Sequence, residues 1–206
     1  LSLVSLVASE NNLSNTTEEG MRFIGQDNSS SRFEVRNNLI SSTGNASGIR
    51  GSFLGTHDTE VIIAENRVGP TAQRGIEFDT SNNTTAEFTI RDNTVNDSSQ
   101  DAIRMTLFST EDQTVALYNN NLQRTGANGF NLTTQGPKQV TVYNNTIGTT
   151  GGAAVRAEMQ AAGLNLSGAS LGNNLYVDLN PVPFDDAGTA PFTGGTGVRI
   201  NGVVYP

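Results

Sequence analysis

A phrase of eight residues recurs along the chain and constrains its fold more than any other feature. It consists of two apolar residues separated by one position, two further residues, an asparagine, one residue and another apolar residue. The clearest copies run over 33–40, 61–68, 88–95, 115–122 and 140–147. Weaker copies occupy 6–13 and, with Ala169 in place of the asparagine, 164–171. The asparagines stand 25 to 28 residues apart, at Asn11, Asn38, Asn66, Asn93, Asn120 and Asn145.

A second phrase runs in step with the first: a small residue, an apolar residue, a polar residue and usually another apolar residue. Its copies begin at Gly20, Gly48, Gly75, Ala102, Gly129, Ala154 and Gly197. Each unit therefore holds three short alternating segments, which is the pattern of strands with one buried face. Strands this short must pair with the same strand of the next unit, so the sheets are parallel. The sequence predicts an all-β fold, a right-handed parallel β-helix of about seven coils of roughly 27 residues, with three short strands per coil.

Alternation also predicts four inward rows in which like residues stack and fill a narrow core. One row joins Val140 to Leu164, and another joins Val155 to Val198. The recurring asparagine is assigned to a tight bend between two strands, because asparagine tolerates left-handed backbone geometry. At the rung spacing its amide can bond to the rungs above and below, so the six asparagines are predicted to form a structural ladder.

The whole chain, 1–206, is interpreted as a single β-helix domain. The stretch 172–196 departs from the repeat and contains Pro181, Pro183 and Pro191, and proline is excluded from the middle of a sheet. It is predicted to be a long loop or cap-like excursion before the last strand. The chain begins inside a repeat and without an initiator methionine, which favours a part of a larger protein.

The polar position of the second phrase points outward, one residue per coil, and is rich in arginine. The chain has only 12 lysines and arginines, yet the row reads Arg22, Arg50, Glu77, Arg104, Asn131, Arg156 and Arg199. Asp79 follows on the same face, and Asp101 precedes the next strand. One interpretation is a solvent-exposed ladder of ion pairs that keeps the sheet soluble. The other is a ligand-binding row formed by Arg22, Arg50, Glu77, Arg104, Asn131 and Arg156.

The two phrases together resemble the parallel β-helix repeats of the pectate-lyase-like superfamily, over about residues 5–171 and 197–206. The resemblance implies a fold but no single activity, since that superfamily includes lyases, glycoside hydrolases, epimerases, tailspikes and adhesins. In its enzymes the strand of the second phrase lines the substrate groove. By that resemblance Arg104 or Arg50 is a candidate for proton abstraction beside a uronate carboxylate. Glu77 and Asp79, on one face of one strand, are candidates for the paired acids of a glycoside hydrolase. Glu77, Asp79 and Asp101 are candidates for a Ca²⁺ site, although no cofactor is required.

Two further features carry weaker signals. Tyr118 and Tyr143 fall on consecutive rungs of another outward row. They are candidates for a sugar-binding or protein-binding patch, with stacked packing as the alternative. His57 is the only histidine, lies in a predicted loop, and is interpreted as solvated.

Composition narrows the partners and the compartment. A net charge of −8 argues against nucleic acid as a partner. No apolar run reaches the roughly 18 residues that cross a bilayer, so no membrane insertion is expected. The cysteine-free, acidic composition favours an extracellular protein or one on a bacterial cell surface. The apolar first strand predicts an uncovered edge, which would allow a homo-oligomer by end-to-end or edge association.

These observations favour a non-catalytic extracellular or cell-surface β-helix with a structural, filament-forming, adhesive or glycan-binding role. The first alternative is a polysaccharide lyase, or another carbohydrate-active enzyme, that acts on an anionic glycan through the arginine row. The second alternative is a phage tailspike-like receptor-binding β-helix. The non-catalytic role ranks first because the rungs are regular, the predicted ends are uncovered, and the sequence holds no family's complete catalytic set, such as the local signatures of polygalacturonase-like enzymes.

Overall fold

The computed structural model describes residues 3–26, 29–41, 43–135, 138–153 and 155–159, together with the short strands 164–165, 175–177, 184–186, 198–200 and 203–205. The regular elements in these ranges are β-strands, 23 in number. Successive strands enter three different sheets in turn, so the chain winds as a solenoid.

Sheet A has seven strands: β1 (Leu3–Ser9), β4 (Ser29–Arg36), β7 (His57–Ala64), β10 (Thr84–Arg91), β13 (Gln113–Tyr118), β16 (Lys138–Tyr143) and β19 (Leu164–Asn165). Sheet B has nine: β2 (Asn12–Ser14), β5 (Leu39–Ser41), β8 (Arg67–Val68), β11 (Thr94–Asn96), β14 (Asn121–Thr125), β17 (Thr146–Thr150), β20 (Leu175–Val177), β22 (Val198–Ile200) and β23 (Val203–Tyr205). Sheet C has seven: β3 (Met21–Gln26), β6 (Ile49–Leu54), β9 (Ile76–Asn82), β12 (Ile103–Ser109), β15 (Phe130–Thr134), β18 (Val155–Met159) and β21 (Phe184–Asp186).

The strands pair in parallel with the next coil, which confirms the predicted all-β parallel solenoid with three strands per coil. Regular turns of 25 to 28 residues join the asparagines from Asn11 to Asn145. They make about five regular turns, so the predicted number of about seven coils is too high. The reason is that the asparagine repeat ends after its sixth copy, and the following segments keep the sheets but not the period.

The core is a narrow column of stacked apolar side chains. Three phenylalanines from different strands, Phe53, Phe78 and Phe88, are fully buried, and their ring centroids lie 5.2 to 6.4 Å apart. Four predicted inward rows are present in register, for example Val61 beside Phe88 beside Val115. Stacking of similar side chains fills the column without a layer of helices.

The predicted register is wrong in the last coils. Leu164 pairs with Lys138, two residues before its predicted partner Val140. Val198 was expected to continue the row of Val155 in sheet C, but β22 lies in sheet B, between β20 and the antiparallel β23. Arg199 therefore does not belong to the arginine row. These copies lack the asparagine that fixes the register elsewhere.

Within the predicted excursion 172–196, the structure describes only two strands. β20 pairs in parallel with β17, and β21 pairs in parallel with β18. The prolines of this stretch, like Leu166 and Ala169 of the last repeat copy, lie outside the described residues.

The predicted asparagine ladder forms the corner between sheets A and B, which we call the ladder corner (Asn11, Asn38, Asn66, Asn93, Asn120 and Asn145). The amide group of each asparagine from Asn11 to Asn120 bonds to the asparagine of the next rung. For example, the backbone N–H and Nδ2 of Asn66 both donate to Oδ1 of Asn93, at 3.0 Å each. Nδ2 of Asn66 also donates to the backbone oxygens of Val35 and Ala64. Five of the six asparagines are buried, and only Asn11, at the first rung, is exposed.

The prediction that the ladder asparagine itself adopts left-handed backbone geometry is wrong. The left-handed residue is the one before each ladder asparagine, with φ between 53° and 59° at Glu10, Asn37, Glu65, Asp92, Asn119 and Asn144. The ladder asparagines do not have positive φ values. Asparagine is therefore required for its amide group, which satisfies buried backbone groups on two rungs.

The small residue of the second phrase is explained by a close approach between sheets. A Cβ atom on Gly48 would lie 2.4 Å from a methyl group of Val68 and 2.8 Å from the carbonyl oxygen of Gly75. Small residues at this position let the inward row of sheet B reach the start of sheet C.

The corner between sheets C and A has a polar interior that the sequence patterns did not predict. We call it the mixed corner, and its buried polar residues are Ser31, His57, Thr59, Thr80, Thr84, Gln113 and Lys138. The side chains of Thr84, Gln113 and Lys138 donate to backbone oxygens of the preceding coil. The other side chains bond to polar side chains. Gln113 Nε2 donates to the oxygen of Thr84 at 2.9 Å, and Lys138 Nζ donates to the oxygen of Ser109 at 2.9 Å.

Candidate binding face on sheet C

The outer side of sheet C brings the predicted arginine row together. Parallel pairing aligns Arg22, Arg50, Glu77, Arg104, Asn131 and Arg156 across six strands. We call these six residues, with Asp79 and Asp101 beside them, the arginine face. Successive members lie one rung apart, or about 4.8 Å.

Glu77 lies at the centre of the arginine face but is not solvent-exposed, contrary to its assignment to an outward, ligand-accessible row. Its side chain is 4% exposed. Ser47 Oγ donates to one carboxylate oxygen at 2.7 Å. The other oxygen accepts from Arg74 at 3.0 Å and from Arg104 at 3.5 Å. A carboxylate with three donors orients its neighbours and is poorly placed to act as a base.

Arg74 and Ser47 were missed by the sequence reasoning. Both lie in the loops that enter sheet C, outside the alternating pattern on which that reasoning rested. The signal for Arg74 is its position three residues before Glu77, because the loop folds back over the start of the strand. No comparable local signal exists for Ser47, which is 30 residues away from Glu77 in the chain.

Asp79 is the accessible acid of the arginine face. Its side chain is 28% exposed and lies 3.6 Å from Arg50. Burial raises the pKa of the Asp79 carboxyl, and the negative charge of Glu77 raises it further. The positive charges of Arg50 and Arg104 oppose this rise.

Asp101 is buried and already fully used by amide donors. One oxygen accepts from the backbone N–H of Asn128 at 3.0 Å and from its Nδ2 at 2.7 Å. The other accepts from Asn131 Nδ2 at 3.1 Å. Glu77, Asp79 and Asp101 were the candidate Ca²⁺ ligands, but no group of three or more acidic or histidine side chains in the described ranges is arranged to hold a metal ion.

The arginines of the face form long, partly exposed ion pairs. Arg50 lies 3.4 Å from Glu19, with 38% of its side chain exposed, and Arg104 is 30% exposed at 3.5 Å from Glu77. Arg22 is exposed and makes no ion pair with any residue that the structure describes. Arg156 NH1 donates to Asn131 at 3.4 Å. The alternating ladder Arg50–Glu77–Arg104 is therefore only half formed, because Arg50 pairs with Glu19 and Asp79.

Tyr118 and Tyr143 lie on the outer side of sheet A and stack on each other. Their ring centroids are 5.0 Å apart and the ring planes are 11° apart. Because this separation nearly equals the rung spacing of about 4.8 Å, the two ring faces turn toward each other along the solenoid axis. One face of each ring is thus occupied, which favours stacked packing over a flat platform for a sugar.

A groove of about 570 Å³ lies at the start of sheet A and has the opposite charge. Its acidic residues are Asp58, Glu60, Glu87 and Asp112, and its one cation is Arg32. Arg32 pairs with Glu60 at 2.6 Å. This groove repels an anionic ligand, so within the described residues sheet C is the better face for one.

The architecture defines the class of this protein as a parallel β-solenoid with an asparagine ladder. A family model described as right handed beta helix region matches residues 5–147, and the chain belongs to this family. Membership of the wider pectate-lyase-like superfamily stays a prediction. No curated protein matches the chain, and no solved structure does. The described part of the chain contains no helix long and apolar enough to cross a membrane.

Proposed function

We propose that the chain is a non-catalytic β-helix module of an extracellular or cell-surface protein, and that its arginine face binds an anionic polysaccharide. The observation that carries this proposal is the set of three aligned arginines, Arg22, Arg50 and Arg104, that are partly exposed and held only by long ion pairs or by none. The guanidinium groups keep donors that these long contacts do not use. Those donors can bind the carboxylate or sulfate groups of a ligand while the existing pairs stay in place.

The rung spacing supports a linear ligand. Arg22 and Arg50 lie one rung apart, and Arg50 and Arg104 lie two rungs apart. The cationic side chains therefore follow the axis at intervals of about 4.8 or 9.6 Å, which suits a polymer that carries acidic groups at regular intervals. Glu77 and Asp101 help by holding Arg104, Arg74 and Asn131 in place rather than by meeting the ligand. Arginine suits this role because its planar guanidinium binds carboxylate and sulfate in a bidentate way.

Titration of the protein with oligogalacturonate and with a sulfated oligosaccharide, followed by calorimetry, tests the proposal. We expect binding that weakens with salt, since it depends on exposed charges. Changing Arg22, Arg50 and Arg104 together to glutamine should weaken it at least tenfold, which is about 1.4 kcal/mol.

Arg67→Gln is the matched control. Arg67 is exposed on β8 of sheet B, and the change removes one positive charge from another face, so it is compared with the single change Arg50→Gln. Equal loss of binding in this control would show that only net charge matters, and absence of binding to both probes would refute the proposal.

A carbohydrate-active enzyme is the second candidate, and Asp79 is the observation that favours it. An acid with a raised pKa beside Arg50 is the kind of group that moves protons in active sites. A lyase acting on a uronate polymer forms an unsaturated product that absorbs in the ultraviolet. Absorbance that rises with a uronan, with or without Ca²⁺, and that is lost in Asp79→Asn would replace the non-catalytic proposal.

Association between copies is a further part of the proposal. The side chains of β1 include four exposed apolar residues: Leu3, Val4, Leu6 and Val7. An exposed apolar edge strand is a template for pairing with another strand. Light scattering after size exclusion should show dimers or larger forms that Leu6→Lys and Val7→Lys reduce, whereas a stable monomer at all concentrations would contradict association.

A further inference from the structure

His57 is buried inside the solenoid, although its sequence context predicted a solvated loop residue. It is the first residue of β7 and is 2% exposed. Its ring stacks on Phe53, with centroids 5.9 Å apart and planes 14° apart. A Cβ atom on Gly25 would lie 2.5 Å from Nε2, so the backbone of β3 passes directly against the ring.

Both ring nitrogens are hydrogen-bonded to serines of β4. Ser29 Oγ lies 2.8 Å from Nδ1, and Ser31 Oγ lies 2.8 Å from Nε2. Ser29 also donates to the backbone oxygen of Gln26 at 2.9 Å, and Ser31 lies 2.9 Å from the hydroxyl of Thr59.

For a neutral imidazole, only one arrangement of protons satisfies these contacts together. A hydroxyl has one proton, and Ser29 gives its proton to Gln26, so Nδ1–H must donate to Ser29. Nε2 is then the acceptor from Ser31, which in turn accepts from Thr59. The network therefore places the proton of a neutral imidazole on Nδ1.

A second proton on His57 would reverse the donors of this network. Nε2–H would have to donate to Ser31, so Ser31 would turn its own proton toward Thr59, and the hydroxyl of Thr59 would lose its acceptor. The new positive charge would also lie against Phe53 in the core, where an unpaired charge is costly.

Among the residues that the structure describes, no charge inside the corner compensates for that proton. The elements packed on the ring contribute Gly25 from β3, the two serines of β4, Phe53 from β6 and Thr84 from β10. Among the described residues, the charged group that acts on His57 is Asp58, which follows it in β7 and is exposed.

We propose that His57 is an acid-sensitive latch between the N-terminal coils, which holds β3 and β4 against β7 while it is neutral and loosens them when it is protonated. The latch does not depend on glycan binding, although β3 and β6 carry Arg22 and Arg50 of the arginine face.

The direction of the pH effect follows from burial. Burial lowers the pKa of His57 below 6.5, and Asp58 opposes this only in part. At pH values between 6.5 and the lowered pKa of His57, the unfolded chain therefore binds more protons than the folded chain. The contribution of His57 to the free energy of unfolding is retained above pH 6.5 and is lost as the pH falls through that window. The folding equilibrium constant then falls by up to tenfold per pH unit.

The single histidine makes a direct test possible. Nitrogen-15 NMR of the protein labelled in His57 reports the protonated nitrogen and the titration midpoint without assignment ambiguity. We expect the Nδ1–H form at pH 7.5 and a midpoint below 6.5. A midpoint at or above 6.5, or the Nε2–H form, would overturn the latch.

Urea unfolding at pH 7.5 and pH 5.0 tests the consequence for the coils. The wild-type midpoint should fall more between these pH values than that of His57→Gln, which has the same carboxylates and no imidazole. Equal falls would overturn the proposal. If His57→Gln does not fold, amide exchange in β3 and β4 of the wild type decides: increased opening at pH 5.0, after correction for intrinsic rates, supports the latch, and unchanged opening refutes it.

Discussion

The ladder corner and the mixed corner do the same task in different ways. Both must satisfy backbone groups where the chain leaves one sheet and enters the next. At the ladder corner, two residues separate the strands in all six coils, for instance Asn37 and Asn38 between β4 and β5. At the mixed corner the gap varies between coils, as between Asn82 and Thr84 or between Ser109 and Gln113.

The difference shows what makes a repeat visible in a sequence. A bend of constant length leaves the same backbone groups unpaired in each coil, so one residue type satisfies them all. A bend of variable length leaves different groups, so each coil uses a different donor: Thr84, Gln113 and Lys138 in successive coils. The mixed corner is also buried, but it leaves no repeated motif in the sequence.

The comparison predicts that the ladder corner is the more vulnerable of the two. Asn93→Ala would remove the acceptor for two donors of Asn66 and the donor to Ile63 and Asn120, all buried. Several unsatisfied groups should cost about 3–5 kcal/mol. Urea unfolding measures this cost.

Asn121→Ala is the matched control for that change. Asn121 adjoins a ladder asparagine but is exposed, so its loss should cost less than about 0.5 kcal/mol. Similar costs for both variants would mean that the ladder contributes no more than surface asparagines do.

Lys138, at the mixed corner, should make the free energy of unfolding depend on pH in the alkaline range. Burial lowers the pKa of Lys138 to about 8, with opposition from Asp112 and Glu111. The unfolded chain then binds more protons between about 8 and 10.5, so stability rises with pH across this window. We expect a gain of about 2 kcal/mol from pH 7 to 9.5 relative to Lys138→Met. Parallel pH profiles of the two proteins would contradict it.

A change at Gln113 tests whether the side-chain donors of the mixed corner contribute to stability. Its Nε2 donates to the backbone oxygen of Thr84 and to Thr80 Oγ1, at 2.9 and 3.0 Å. Gln113→Leu keeps the side-chain volume and should cost about 1.5 kcal/mol in unfolding experiments. Thr114→Leu, which changes an exposed neighbour, serves as the control. A neutral or stabilising Gln113→Leu would show that this corner accepts apolar residues.

The smallest expected effect concerns the left-handed residues of the ladder corner. Glu65 has a φ of 59°, which asparagine adopts more readily than glutamate. Glu65→Asn should therefore stabilise the protein by about 0.5 kcal/mol. The same change at Glu87, an exposed residue of β10 without a positive φ, should not stabilise it. Thermal unfolding distinguishes the two variants.

The sequence predicted the fold where local and repeated signals agree. Alternation gave the inward rows from Phe33 to Val140, because period two fixes which face is buried. It failed at Leu164 and Val198, where no asparagine marks the register and the coil length changes. Alternation also cannot tell how far an outward side chain is covered by loops. For this reason Glu77 was expected in solvent although Arg74 and Ser47 cover it.

By itself, the sequence determined that this chain is a parallel solenoid with an asparagine ladder, because one set of local rules repeats every 27 or so residues. The tertiary structure alone decided which polar residues are buried. Burial of Glu77 and His57 depends on groups about 30 residues away, such as Ser47, Ser29 and Gly25. Such contacts arise from stacking of coils whose loops differ, and no local pattern encodes them. The ladder corner can be recognised in the sequence because its bend has the same length in each of the six coils.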